Sequence, residues 1–221
     1  MRTLILATLL SGCISSTAVP AAMHPTASAS EQSVGVSVGG GYQKTEGASL
    51  LTIPYGEGWI RHPVGTGQIG INVAPSMVRF GYRFDAKPLA DGVGLAIEPM
   101  VGFSYFRTVD EATDPADPDD KESALILTAG VVPTVLFPAG SSFAYVSPKL
   151  GFQHVRTLAG SMAQDDTTNS YVLGASVGIG ISAYVSLELA IHRIDDLEDE
   201  PTGQPDQGAA WLIVPTVGVR H

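Results

Sequence analysis

The sequence has a single cysteine, Cys13, and only 12 basic residues against 22 acidic ones in 221. A lone cysteine excludes a disulfide framework and any all-cysteine zinc site. The net charge of −10 has the wrong sign for gripping phosphate backbones, so no nucleic-acid partner is expected. Charged residues make up 15% of the chain, against about a quarter in ordinary globular proteins. That scarcity excludes a coiled coil or a charge-rich disordered chain. Long apolar runs are also missing, and none reaches the roughly 20 residues that a bilayer-crossing helix needs. Apolar residues (44%) and glycine (25 residues) are abundant instead. An apolar, glycine-rich chain that is also acidic must keep its acid apart from its apolar parts.

The chain begins with the basic Met1-Arg2, then an apolar run from Thr3 to Leu10, then Ser11-Gly12-Cys13. That order is an export signal. Leu10-Ser11-Gly12-Cys13 resembles the lipobox of bacterial lipoproteins. The resemblance implies that residues 1–12 are a signal peptide and that Cys13 becomes the acylated first residue. Ile14 after the cysteine then implies sorting to the outer membrane of a Gram-negative bacterium. The competing route is an ordinary signal cut after Val19-Pro20-Ala21, which leaves no anchor. Residues 13–32 are mostly Ser, Thr, Ala and Pro, the composition of a flexible tether. Residues 33–221 remain as one domain.

From Ser33 onward the apolar residues alternate with period two, which predicts strands. Val34, Val36 and Val38 share one face; Leu95, Ile97, Val101 and Phe103 repeat the pattern, as do Val185, Leu187, Leu189 and Ile191. Parity changes once, between Ile69, Ile71, Val73 and Val78, Phe80, Tyr82. A β-bulge at Pro75 accounts for the change within one strand; a hairpin at Ala74-Pro75-Ser76 is the alternative. With the bulge, eight strands are predicted: 33–44, 66–84, 92–108, 122–137, 143–158, 168–181, 183–194 and 209–220. The connections 45–65, 109–121, 159–167 and 195–208 are long, and those between them are short. The first long one carries Tyr55, Trp59, Ile60 and His62, aromatics that suit a partner site or a cover over a barrel mouth. Pro99–Phe103 and Pro148–Phe152 form a short internal repeat. The strand prolines are a difficulty, because each deletes a ladder hydrogen bond.

Charge follows the same division. Fifteen of the 22 acidic residues lie in or beside the last three long connections, all at one proposed end. Asp114, Asp117, Asp119 and Asp120 lack the glycine and terminal glutamate of a calcium loop, so a solvated acidic loop is the plainer reading. Opposite the apolar strand face stand Arg79, Arg83, Glu98, Lys149, Glu188 and Arg220, joined by His192, Gln43 and Asn72. Both signs are present, so they can pair inside a closed wall, where an unpaired charge is costly. Tyr82, Phe84, Phe137, Phe143, Tyr145 and Tyr184 fall near the short turns, and Tyr42, Phe103, Tyr105, Phe152, Tyr171 and Trp211 near the long loops, as two interfacial girdles would.

With these features the chain resembles the small eight-stranded outer-membrane barrels of the OmpA/OmpX-like group over about residues 33–221. The resemblance implies an all-β, eight-stranded antiparallel up-and-down transmembrane β-barrel. It also implies a monomer with outer-membrane lipid as partner and a structural or surface-interaction role, an extracellular partner being met through the acidic loops. Such barrels commonly end in an aromatic residue; this chain ends Val219-Arg220-His221. No catalytic residue, metal or cofactor is expected. The five histidines lack ligand spacing, and no Gly-x-Ser-x-Gly, HExxH or phosphate-loop motif occurs. His192 lacks the serine two residues on that marks barrel deacylases. The alternative function is a soluble, lipocalin-like lipoprotein barrel holding an apolar ligand in the periplasm. The two differ in which face is apolar. Glu98, Lys149 and Glu188, each flanked by apolar outward residues, favour the membrane form.

Overall fold

The structure, a computed structural model, describes residues 23, 25–44, 51–74, 77–90, 92–107, 123–158, 166–181, 185–196 and 210–220. Ten strands run through them: β1 (Ser33–Lys44), β2 (Leu51–Val64), β3 (Gly67–Ala74), β4 (Met77–Ala90), β5 (Val93–Arg107), β6 (Ser123–Ala139), β7 (Ser142–Leu158), β8 (Asp166–Ile181), β9 (Val185–Asp196) and β10 (Ala210–Arg220). Each pairs antiparallel with its sequence neighbours, and β10 closes on β1. The fold is an all-β, up-and-down antiparallel barrel.

The strand count corrects the eight predicted from alternation. Both additional strands arise near the start of the barrel. β2 occupies most of the stretch expected as the first long loop and pairs with β1 and β3. The strand expected over 66–84 with a bulge at Pro75 is two strands, in which Ala74 faces Met77 across a tight hairpin. β3 is therefore only eight residues long.

Three glycine turns gather at one end. Gly65, Gly92 and Gly140 lie between β2 and β3, β4 and β5, and β6 and β7, with φ of 62°, 83° and 64°. That left-handed backbone suits glycine, which has no Cβ to clash. The start of β1 and the end of β10 share this end. The opposite end carries the β3–β4 hairpin and the longer connections. The acidic loops, with Asp114, Asp117, Asp119 and Asp120, lie outside the described residues. The strand ends that flank them, from Arg107 and Ser123 to Asp196 and Ala210, all stand at that one end.

The proline difficulty has a structural answer. The β6–β7 ladder is interrupted between Val131↔Leu150 and Val135↔Val146, and by register Pro133 and Pro148 face each other inside the gap. Two missing N–H donors share a single defect. The β4–β5 ladder is interrupted opposite Pro99, and the β1–β10 ladder opposite Pro215. These four prolines thus coincide with interruptions of the ladder, whereas Pro54, Pro63 and Pro138 stand within continuous register.

Of the stretch expected as a tether, the structure describes Met23 and residues 25–32. Met23, Pro25, Thr26 and Ala29 are buried inside the barrel.

Candidate functional site

The wall is inside out relative to a water-soluble barrel. Among the described residues, 29 large apolar side chains are exposed on the outer face, among them Val36, Val38, Val101 and Val219, each more than half exposed. Water-soluble monomers rarely expose apolar patches beyond about 300–600 Å². The inner face buries 20 polar or charged side chains among the described residues. An apolar ligand would meet charges there, which counts against the lipocalin-like alternative.

Of the six charges predicted to face a lumen, Arg79, Arg83, Glu98, Lys149 and Glu188 are buried on the inner face. Asn72 and His192 join them. The side chains of Arg220 and Gln43 lie outside the described residues. Glu57, Trp59, Arg61 and Gln68 also point inward and were not predicted. Glu57, Trp59 and Arg61 come from β2, whose alternation is obscured because its outward positions include Gly56, Gly58 and His62. Trp59, expected on a loop, is 3% exposed within the wall, and Ile60 beside it faces outward. Phe143 and Tyr145, expected in the short-turn girdle, are likewise inward and buried. Phe80 and Phe84 do face outward, and Tyr82 packs edge-on against Phe84 at 4.6 Å.

The charges form three groups. In the first, Glu57 on β2 pairs with Arg79 on β4 at 3.1 Å, and Asn72 on β3 donates its amide to the same carboxylate. Arg61 donates to Asn72 at 2.7 Å and lies 3.8 Å from Glu98. In the second, Glu188 on β9 accepts from Lys149 at 3.2 Å and from the Tyr145 hydroxyl at 2.5 Å. In the third, Arg83 pairs with Asp85 at 2.7 Å on β4. Every pair joins opposite signs, and apart from Asp85 the partners are almost wholly enclosed. Burial of charge is tolerable only when it is matched in this way.

Glycine makes the room. Tyr145 lies across the wall from Gly178, where a Cβ would come within 2.3 Å of its ring. Gly70 and Gly81 face each other on β3 and β4, and a Cβ on either would run into the Arg61–Glu98 pair. Large inward groups therefore lie over glycines of the neighbouring strand. The abundance of glycine is thereby tied to close approach.

The N-terminal segment completes the interior. Arg83 donates to the Thr26 carbonyl at 2.8 Å and to its hydroxyl at 3.0 Å. Gln68 donates to the Thr26 hydroxyl at 3.1 Å and to the Glu31 carbonyl at 2.5 Å. Asp85 accepts from the Ala29 backbone N–H at 2.7 Å. Farther in, the Met23 N–H donates to Glu188 at 2.7 Å, and the Met23 side chain packs on Met100, Val132 and Val172. One short segment thus touches β3, β4, β5, β6, β8 and β9.

No family model matches the chain, and no curated protein matches it. Solved structures do. The attachment invasion locus protein Ail of Yersinia pestis is 11% identical with a TM-score of 0.36, over 86% of this chain and 99% of that one. Neisserial surface protein A is 11% identical with a TM-score of 0.36, over 85% and 96%. The outer membrane protease OmpT of Escherichia coli is 10% identical with a TM-score of 0.47, over 90% and 99%. At that distance no residue role or activity carries over.

Proposed function

We propose that this chain is an integral outer-membrane β-barrel, anchored by lipid at Cys13, with a structural or surface-interaction role and a lumen closed by its own polar groups. The observation that carries the reading is the inverted wall, apolar outside and charged within. A charge facing lipid at the bilayer middle costs about 2–4 kcal/mol, so a membrane wall must turn its charges inward or dispense with them. The acidic end then faces the exterior and suits a basic partner. A closed barrel leaves no sheet edge to pair, in keeping with a monomer.

Electrophoresis with and without boiling tests the barrel. The folded protein should migrate apart from the boiled one and resist extraction by alkaline carbonate. Identical migration together with release by carbonate would sink the reading. The anchor has its own test: Cys13→Ser should abolish palmitate labelling, and persistent labelling would refute acylation at that site.

A further inference from the structure

We infer that Met23 and residues 25–32 are a displaceable stopper, and that the barrel with this segment withdrawn conducts small ions. The inference rests on the membrane reading. It adds an activity to it.

The first support is width. An eight-stranded barrel has an interior that side chains just fill, and diameter grows with strand number. Here ten strands enclose the lumen, and main chain helps to fill it. Thr26 is 1% exposed, Met23 2% and Ala29 4%. Side chains of the wall therefore do not close the barrel alone.

The second support is how the segment is held. The described polar contacts between segment and wall run from wall side chains to it, not through a β-ladder. Arg83, Gln68, Asp85 and Glu188 supply them, and three of these four are charged. The ladder closes without the segment, because β10 pairs with β1 and every other neighbour is paired. Withdrawing it exchanges a few side-chain hydrogen bonds for hydrogen bonds to water, breaks the Met23 contact with Met100, Val132 and Val172, and leaves the wall ladder intact.

The third support is what withdrawal uncovers. Besides the four gripping residues, the inner wall carries hydroxyls at Thr134, Ser147, Ser176, Ser186 and Thr216. Such a surface wets readily. The inward cations Arg61, Arg79, Arg83 and Lys149 are each matched by an anion, so the path should discriminate little between cations and anions.

The test uses the full chain with Cys13→Ser, to leave no other thiol, carrying Ala29→Cys and Asp85→Cys. The Ala29 N–H and the Asp85 carboxylate are 2.7 Å apart, which sets the two residues side by side, and a disulfide between them would tie the segment to β4. In a planar lipid bilayer the oxidised protein should be silent. The reduced protein, which has also lost the Asp85 contact, should give discrete conductance steps. A second full-length variant, Arg83→Gln with Gln68→Ala, should conduct without reductant. Silence of both reduced and grip-weakened proteins, each still showing the heat-dependent gel shift, would overturn the inference. So would an oxidised form that conducts like the reduced one, or a disulfide that fails to form in the folded protein. Loss of the gel shift in the unmodified chain would instead overturn the barrel reading itself.

Discussion

At the scale of single residues, the interior depends on two kinds of match: charge against charge, and bulk against glycine. Arg79 and Glu57 are both enclosed, so removing one leaves the other buried and uncompensated. Arg79→Met should destabilise the barrel by about 3–5 kcal/mol, and adding Glu57→Met should recover much of that loss. Urea unfolding followed by the gel shift reads both. Gly178→Ala should destabilise by about 1–3 kcal/mol, because its Cβ meets the Tyr145 ring at 2.3 Å. Gly40→Ala is the control, since a Cβ there meets nothing within 4 Å, and it should be close to neutral. The charged half of this scheme was legible in the sequence. Arg79, Glu98, Lys149 and Glu188 interrupt apolar alternation and so had to face away from it. The glycine half was not legible, because it depends on which residue lies opposite on the neighbouring strand, a matter of register.

At the scale of strands, alternation found every strand from β5 to β10 and failed twice before them. A tight hairpin and a bulge shift parity by the same one residue, so Ile69–Val73 followed by Val78–Phe84 cannot tell them apart. β2 failed for a different reason. Trp59, its largest side chain, points inward, while Gly56, Gly58 and His62 point outward, so the usual sign of amphipathicity is reversed. The two omissions cancelled in one respect: ten strands, like eight, return both chain ends to the same side. Topological consistency therefore gave no warning. The test of β2 is Ile60→Arg. On a loop it would be neutral; on a lipid-facing strand it should cost roughly 2–4 kcal/mol and lower the yield of heat-modifiable protein.

At the scale of the whole molecule, the segment ahead of β1 is where composition misled. Ser, Thr, Ala and Pro with almost no charge describe a tether in water, yet the same small polar residues fit a polar lumen. Thr26 and Ala29 need only Arg83, Gln68 and Asp85 to hold them there. The wall is also uneven in height. β3, with eight residues, rises about 20 Å at a strand tilt near 40°, against an apolar band of about 25 Å in barrels of this kind. In the proposed membrane setting, lipid beside the β3–β4 hairpin must pucker inward, at a cost of a fraction of a kcal/mol per ångström of mismatch. Folding into bilayers should then become less efficient as the acyl chains lengthen, and adding two residues to each strand of that hairpin should remove the dependence. A closed ring of strands is commonly treated as equal all the way round. This one has a low side, and a low side gives the protein an azimuth in the plane of the membrane, a direction in which neighbouring lipids and other thin-edged proteins are least disturbed.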